Sequence, residues 1–236
     1  MIGQWPPRLQ HRHAEAFTAG ILFRSAFPAG HAIRVHYCQS CDTPVVMEPR
    51  DGHAVCPECG RLDDAVLGPL FIVTGASCSG KTAVLAPLAR RLRGRCITFD
   101  ADLLLDSAGA LSGGQPINWT AFLDAWLAIA HGVAQSGMPT LLLGPFIPDH
   151  LRDLPARRWT GDIHFFALDC PDDLRRTRIN ARPRWRSRDT EQQVEFGQWL
   201  RRNIPDRFDT SNGTPEDTAA ALSAWIDRHL TGTRTK

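Results

Sequence analysis

The chain has 236 residues, of which 43% are hydrophobic and 22% charged, and its formal net charge is +2. This composition supports a buried core and excludes a wholly disordered chain. The charge is too small to predict nucleic acid or an anionic membrane as the main partner. No apolar run approaches the roughly 20 residues that a membrane helix needs, and the first residues do not follow the order of a signal peptide. We therefore expect a cytoplasmic protein, in which the seven cysteines bind metal or remain thiols.

In chain order, residues 1–35 are an N-terminal extension to which the sequence assigns no function. The cysteines then cluster within residues 36–66, and Gly68-Pro69 separates this segment from the rest. Further along, short apolar runs alternate with helical patterns. The predicted strands are residues 69–74, 95–99, 140–143, 163–168 and 207–209. The predicted helices are residues 81–93, 119–135, 172–181 and 191–202, and a last helix has Thr214 as its N-cap and Pro215 at its first position.

This alternation of strands and helices predicts an α/β domain over residues 68–232. Five strands joined by helices favour a mostly parallel sheet that is covered on both faces. Residues 36–66 are predicted to form a separate, smaller module.

The strongest motif is Gly75-Ala76-Ser77-Cys78-Ser79-Gly80-Lys81-Thr82, a full match to the phosphate-binding loop pattern. Its glycines let the backbone wrap closely, so that successive N–H groups and the N-terminus of the next helix face phosphate oxygens. Lys81 can reach the β- and γ-phosphates, and the Thr82 hydroxyl can ligate Mg²⁺. The only other lysine is Lys236. The motif predicts a nucleotide site, and the alternative is a glycine-rich turn without a ligand.

Four cysteines form the second motif, in two pairs with two residues between the members of each pair: Cys38 and Cys41, then Cys56 and Cys59. Four thiolates can enclose one Zn²⁺ tetrahedrally, and Gly60 permits the positive φ of a tight turn. We predict a structural zinc site similar to a zinc ribbon. Disulfides or a redox dithiol are the alternatives. A module of this size buries little core, so we expect the metal to hold it together.

Two aspartates, Asp100 and Asp102, follow the second predicted strand, where ligands gather in a parallel sheet. At positions i and i+2 of an extended segment they point the same way. One can help to hold Mg²⁺, and the other can take the proton of an attacking hydroxyl. Asp106 lies further along. In the alternative interpretation, Asp102 only caps the next helix.

Arginines are concentrated in the segment 175–188, which has no acidic residue after Leu174 and before Arg188. Arg178 and Arg182 are four residues apart and therefore project from one face of a helix. Their planar cations suit both stacking on a base and contact with phosphate. We predict a lid around residues 182–190 that includes Arg186. A solvated basic face and an RNA-binding patch are the alternatives.

Together these residues resemble the P-loop kinases that phosphorylate small molecules, such as nucleoside and nucleotide kinases, shikimate kinase and chloramphenicol phosphotransferase. The resemblance covers about residues 68–230 and implies a three-layer P-loop NTPase fold that uses ATP and Mg²⁺. It implies that Arg178 and Arg182 contact adenine and phosphates, that Asp100 serves Mg²⁺ and that Asp102 is the catalytic base. It also implies that Asp209, Thr210 and Ser211 border the adenine.

One feature departs from this family. The third strand ends in Leu143-Gly144-Pro145-Phe146 and lacks the aspartate of a second NTPase motif, so metal binding falls to Thr82 and Asp100.

We expect an ATP-dependent kinase with catalytic residues Lys81, Asp102, Arg182 and Arg186 and a small-molecule acceptor, a nucleoside or a nucleotide. The alternatives are an NTPase or end-kinase that docks nucleic acid on the zinc ribbon, and a nucleotide switch whose zinc module recruits a protein. The sequence does not identify the individual acceptor molecule, and it does not assign an oligomeric state.

Overall fold

The computed structural model describes residues 37–111, 115–183 and 189–232. The cysteine segment folds into five short strands, which form one antiparallel pair and one antiparallel three-stranded sheet. These strands are β1 (Tyr37–Cys38), β2 (Thr43–Pro44), β3 (Glu48–Arg50), β4 (His53–Val55) and β5 (Leu62–Asp64).

The rest of the described chain alternates strands with helices. The elements are β6 (Leu70–Thr74), α1 (Lys81–Arg91), β7 (Ile97–Asp100), α2 (Leu105–Leu111), α3 (Trp119–Ala134), β8 (Thr140–Leu143), α4 (Pro148–Leu151), β9 (Ile163–Asp169), α5 (Asp172–Asn180), α6 (Thr190–Asn203), β10 (Arg207–Asp209) and α7 (Pro215–Gly232).

The main sheet has five parallel strands in the order β10-β9-β6-β8-β7. Every residue of β6 and β8 is buried, as expected of apolar strands with helices on both faces. One face carries a core with α1 and α7, in which Leu88 packs with Trp225. The other face packs around Trp126 of α3. The predicted three-layer α/β fold with a five-stranded parallel sheet is therefore confirmed.

Most predicted elements are close to their observed bounds, and strands β8 and β10 match them fully. The second strand begins at Ile97, two residues later than predicted, because Gly94 turns the chain with φ +74° and the N–H of Cys96 still bonds to Leu92 O at 3.1 Å. At the start of α7, Thr214 Oγ1 accepts from the N–H of Asp217 at 3.1 Å, so the predicted cap is confirmed.

Four short helices were missed, namely α2, α4 and the 3-10 helices Ala101–Leu104 and Pro155–Trp159. Each is too short to show a helical period. Among the described residues, no helix is both long and apolar enough to cross a membrane.

Candidate functional site

The motif of residues 75–82 lies between the carboxyl end of β6 and the first turn of α1. Cys78, with φ 64°, and Gly80, with φ 96°, both adopt left-handed backbone conformations that turn the chain into the helix. Gly75 has no room for a side chain, because a Cβ there would lie 2.8 Å from Leu168 O. Glycine therefore stands where this loop requires it.

Side chains from other elements hold the loop by its carbonyl groups. Arg175 donates to Ser77 O at 3.1 Å, Arg178 donates to Cys78 O at 3.2 Å, and Thr210 Oγ1 donates to Ser79 O at 3.1 Å. The C=O and N–H groups of a trans peptide point in opposite directions. Carbonyls held on the outside therefore turn the next N–H groups inward, which is the arrangement that an anion needs.

Lys81 Nζ donates to the carbonyls of Gly75 and, at 3.1 Å, of Ala76. Burial, and then the positive charge of Arg175, lower the pKa of Lys81 to about 8. The charges of Asp102 and Asp100 act in the opposite direction, and Arg182 again lowers the pKa. The fold thus brings four charged groups from two segments, the end of β7 and the region of α5, within electrostatic range of this ammonium group.

Asp100 ends β7, as the sequence predicts, but Asp102 lies in the 3-10 helix Ala101–Leu104 and not on an extended segment, because the chain turns into that helix directly after the strand. Asp100 Oδ1 accepts from the N–H of Asp102 at 3.0 Å and caps the 3-10 helix Ala101–Leu104. The cap considered in the sequence analysis is therefore Asp100 and not Asp102, which is exposed. The capping bond uses one oxygen of Asp100, and its second oxygen lies outside that bond.

The structure explains the missing aspartate after β8. A Cβ on Gly144 would lie 2.8 Å from the Cβ of Ala101. The N–H of Gly144 also bonds to Val73 O at 3.1 Å, which holds the backbone close to β6. A side chain at this position would therefore collide with Ala101 and with the ring of Phe146, which accounts for a glycine here in place of an aspartate.

The predicted nucleotide-binding side chains lie around the loop. Arg178 and Thr210 contact it as described above, and Asp209 Oδ1 accepts from the N–H of Ser211 at 2.8 Å in the turn after β10. Arg182 is half-buried at the end of α5. Arg186 and most of the predicted lid lie outside the described residues, and so does the side chain of Asp106.

Sequence analysis missed a buried ion network beneath the loop. The Arg175 side chain is fully buried and donates to the Asp169 carboxylate and, at 3.3 Å, to Cys170 O. Arg201 Nε donates to the same carboxylate at 2.6 Å, and its guanidinium also pairs with Asp172. Burial by itself would raise the pKa of Asp172, but the bonds from Arg201 and Gln198 lower it overall. The sequence contains one indication of this network, because Asp169 places a carboxylate at the end of a largely apolar predicted strand, where it needs a cationic partner.

A second missed feature is one face of α6, formed by Gln193, Gly197 and Arg201. These residues are four apart, so they lie on the same side of the helix. Gln193 Oε1 accepts from the N–H of Ser77 at 2.7 Å. A Cβ on Gly197 would lie 2.7 Å from Arg175 Nη2, so glycine is needed for the arginine to fit. The four-residue spacing is visible in the sequence, but only the fold shows that this face of α6 lies toward the loop.

The four predicted cysteines form a separate cluster. All four Sγ atoms lie within 4.8 Å of one another, with Cys38 and Cys59 at 3.6 Å and Cys41 and Cys56 at 3.9 Å. A tetrahedral Zn²⁺ with Zn–S bonds of about 2.3 Å requires S–S separations of about 3.8 Å. The N–H of Cys41 donates to Cys38 Sγ at 3.5 Å, and this bond, with those from Cys56 and Cys59, lowers the pKa of Cys38 to about 7 against the opposing effect of burial. The cluster therefore fits zinc.

The two cysteine turns are supported by their own sequence. Gly60 adopts φ +71°, as predicted, and its N–H bonds to Cys56 O at 2.9 Å. Arg61 links the turns, because Nη1 donates to Ser40 Oγ at 3.1 Å while Nε donates to Asp63 at 2.9 Å. Its positive charge also offsets the thiolates.

The cysteine module packs directly on the α/β domain. Trp159, which is 4% exposed, belongs to the same apolar cluster as Cys38, Met47 and Cys56. Trp159 O lies 3.0 Å from His131 Nδ1 of α3, and Gln135 Nε2 donates to Val66 O at 3.0 Å. The module is thus fixed to the domain by an apolar contact with the 3-10 helix Pro155–Trp159 and by a polar contact with the C-terminal end of α3.

No protein-family model matches the chain, and no curated protein matches it significantly. Solved structures do match. A sugar kinase from Janibacter sp. HTCC2649 is 19% identical, covers 68% of this chain and 95% of its own, and has a TM-score of 0.52. A candidate kinase from Chloroflexus aurantiacus j-10-fl is 19% identical, covers 69% and 98%, and has a TM-score of 0.50. At this identity the comparison establishes the fold, and the chain therefore has the α/β fold of the P-loop kinases.

Proposed function

We propose that this protein is an ATP-dependent phosphotransferase that moves the γ-phosphate to a hydroxyl or phosphate of a small acceptor. One observation carries the proposal: the loop, its lysine and two aspartates meet at the carboxyl edge of one sheet. Lys81 is within electrostatic range of Asp100 and Asp102. A phosphate site beside a carboxylate that can accept a proton suits transfer to a hydroxyl.

In this proposal each group has a defined task. The inward N–H groups of residues 75–82 and the Lys81 ammonium hold the β- and γ-phosphates. Asp102 accepts the proton of the acceptor hydroxyl, because it is the exposed carboxylate of the pair. Arg182 and Arg186 of the lid (residues 182–190) offset charge on the transferred group. The nucleotide side is bordered by Arg178, Asp209 and Thr210.

Thr82 and Asp100 are the proposed magnesium ligands. Thr82 is exposed in the first turn of α1, and the second oxygen of Asp100 is outside its capping bond. Bound Mg²⁺ would supply charge neutralisation on the phosphates. Cys38, Cys41, Cys56 and Cys59 would hold a structural zinc ion, within a ribbon module of residues 36–66 that is fixed to the domain of residues 68–232.

We propose a nucleoside or a nucleotide as the acceptor. The fold is shared with a protein named as a sugar kinase, so sugars belong in the same test. Labelled ATP and Mg²⁺, given with nucleosides, nucleotides, sugars and short oligonucleotides, would identify the phosphorylated product. A labelled oligonucleotide alone would support the end-kinase alternative and would refute the small-molecule proposal.

Lys81→Ala tests the site itself. We expect phosphoryl transfer to fall about a hundredfold or more, because the charge that offsets the transferred phosphate is lost. Lys236→Ala removes the only other lysine and is the matched control. Near-normal turnover by Lys81→Ala, with the melting temperature of both variants unchanged, would exclude the proposed role of the loop.

A further inference from the structure

The peptide group between Ala76 and Ser77 is held on both sides. Its N–H, from Ser77, donates to Gln193 Oε1 at 2.7 Å. Its C=O, from Ala76, accepts from Lys81 Nζ at 3.1 Å. Because these two groups point in opposite directions in a trans peptide, a bond that fixes the N–H on one side also fixes the carbonyl on the other. Gln193 and Lys81 are therefore connected through a single rigid plane.

Gln193 is well placed to hold this peptide. It lies in the first turn of α6, whose N-cap Asp189 accepts from the N–H of Gln192 at 3.2 Å. The next residue, Val194, is 2% exposed and anchors the turn in the protein interior. One helical turn further on, Gly197 lies against Arg175, the residue that donates to Ser77 O at 3.1 Å. Both backbone groups of Ser77 are thus bonded to side chains of the α5–α6 pair.

Apart from the bond to Gln193, the α5 side chains that contact the loop bind its carbonyl groups. Arg175 and Arg178 are donors, and neither can accept from a loop N–H. Among the described residues, Gln193 is the one whose side chain accepts a hydrogen bond from the backbone of residues 75–80. It is therefore the group that can set the orientation of the Ala76–Ser77 peptide from the N–H side.

We propose that Gln193 is a positioning residue for phosphoryl transfer: by fixing the Ala76–Ser77 peptide, it keeps the Ala76 carbonyl toward Lys81 and so restrains the lysine ammonium at the loop. The inference rests on the proposed function, since it assigns a role in that reaction. It adds a residue that is 116 positions distant from the loop in sequence and that no part of the loop pattern contains.

Two substitutions distinguish the effect of the hydrogen-bond acceptor oxygen of Gln193 from the effect of a negative charge at this position. Gln193→Met keeps the length of the side chain and removes the acceptor oxygen. Gln193→Glu keeps an acceptor oxygen and adds a negative charge near the phosphates. Gln192→Met, at the exposed neighbouring position, is the control for changes in α6.

Lysine labelling gives a direct spectroscopic readout, because Lys81 and Lys236 are the only lysines. With ¹³C-labelled lysine, the side-chain relaxation of Lys81 reports how firmly it is held, and Lys236 is an internal reference. We expect Lys81 to become more mobile in Gln193→Met, and to remain as restrained as in the unmodified protein in Gln193→Glu and Gln192→Met.

Kinetics should show opposite patterns in the two variants. In Gln193→Met, kcat should fall about tenfold with little change in the KM for ATP, which corresponds to one lost hydrogen bond acting on the transition state. In Gln193→Glu, the KM for ATP should rise because the carboxylate repels phosphate. All three variants should melt at the temperature of the unmodified protein.

The inference is overturned if Lys81 is equally mobile in Gln193→Met and in the unmodified protein, or if kcat is unchanged in that variant. A change in melting temperature without a change in Lys81 mobility would indicate a purely structural role and would also overturn it. If the unmodified protein transfers no phosphate, the proposed function fails, and the relaxation measurement still decides whether Gln193 restrains Lys81.

Discussion

Arg175→Met is the substitution whose effect follows most directly from the structure. The guanidinium is fully buried and bonds to the Asp169 carboxylate, to Ser77 O at 3.1 Å and to Cys170 O at 3.3 Å. Methionine has a similar length but no donors. The substitution therefore leaves the carbonyls of Ser77, in the loop, and of Cys170, after β9, without this partner, and it removes one of the two cations that contact Asp169.

The size of the effect can be estimated from these contacts. Removing one member of a buried ion pair destabilises proteins by about 3–5 kcal/mol. Because Arg201 Nε remains bonded to Asp169 at 2.6 Å, we expect the lower end, about 3 kcal/mol. For a domain of this size, that corresponds to a decrease in melting temperature of about 6–12 °C.

Thermal unfolding followed by circular dichroism measures this directly, and the adjacent residue provides the control. Arg176 is only half-buried, and it pairs at the surface with Glu191 at 3.0 Å and with Asp173 at 3.3 Å. Surface pairs contribute little, so Arg176→Met should lower the melting temperature by at most about 3 °C. Equal melting temperatures for the two variants would show that the buried network does not stabilise the domain.

Three further predictions concern the site, the metal and pH. Asp102→Asn should reduce turnover by about 10²–10⁴-fold with little change in ATP affinity, whereas Asp100→Asn should raise the Mg²⁺ concentration needed for activity; normal turnover by Asp102→Asn would place the base elsewhere. Elemental analysis should find about one zinc per chain, and Cys56→Ser should lower it while calorimetry still detects ATP binding; protein with no zinc and with disulfides would contradict the zinc site. Burial, and then the nearby His229, lower the pKa of His164, while the charges of Asp162 and Asp206 oppose this shift. As pH decreases, the unfolded state therefore binds the proton before the folded state does. The free energy of unfolding should fall below about pH 6.5. Denaturant unfolding at several pH values should show a smaller decrease for His164→Phe, and an equal decrease would assign the effect to other groups.

Several features of this protein were determined by contiguous sequence. The loop of residues 75–82 contains its own turns and ligand groups, and the cysteine pairs bring their own Gly60, which adopts the positive φ expected of it. Strands β6 and β8 are apolar along their whole length, so burial on both faces could be predicted from their composition. These predictions succeed because the physical cause, a backbone conformation or a ligand set, lies within a few neighbouring residues.

The tertiary structure alone decided which distant groups meet. Gln193 lies 116 residues from Ser77, and Arg175 lies 98 residues from the same position. Gly144 leaves no room for a side chain partly because Ala101, which follows β7 and not β8, lies 2.8 Å from the position of a Cβ there. Trp159 joins the cysteine cluster only because the module packs on the 3-10 helix Pro155–Trp159. Such contacts depend on strand order and on which faces pack together, and local sequence patterns encode neither.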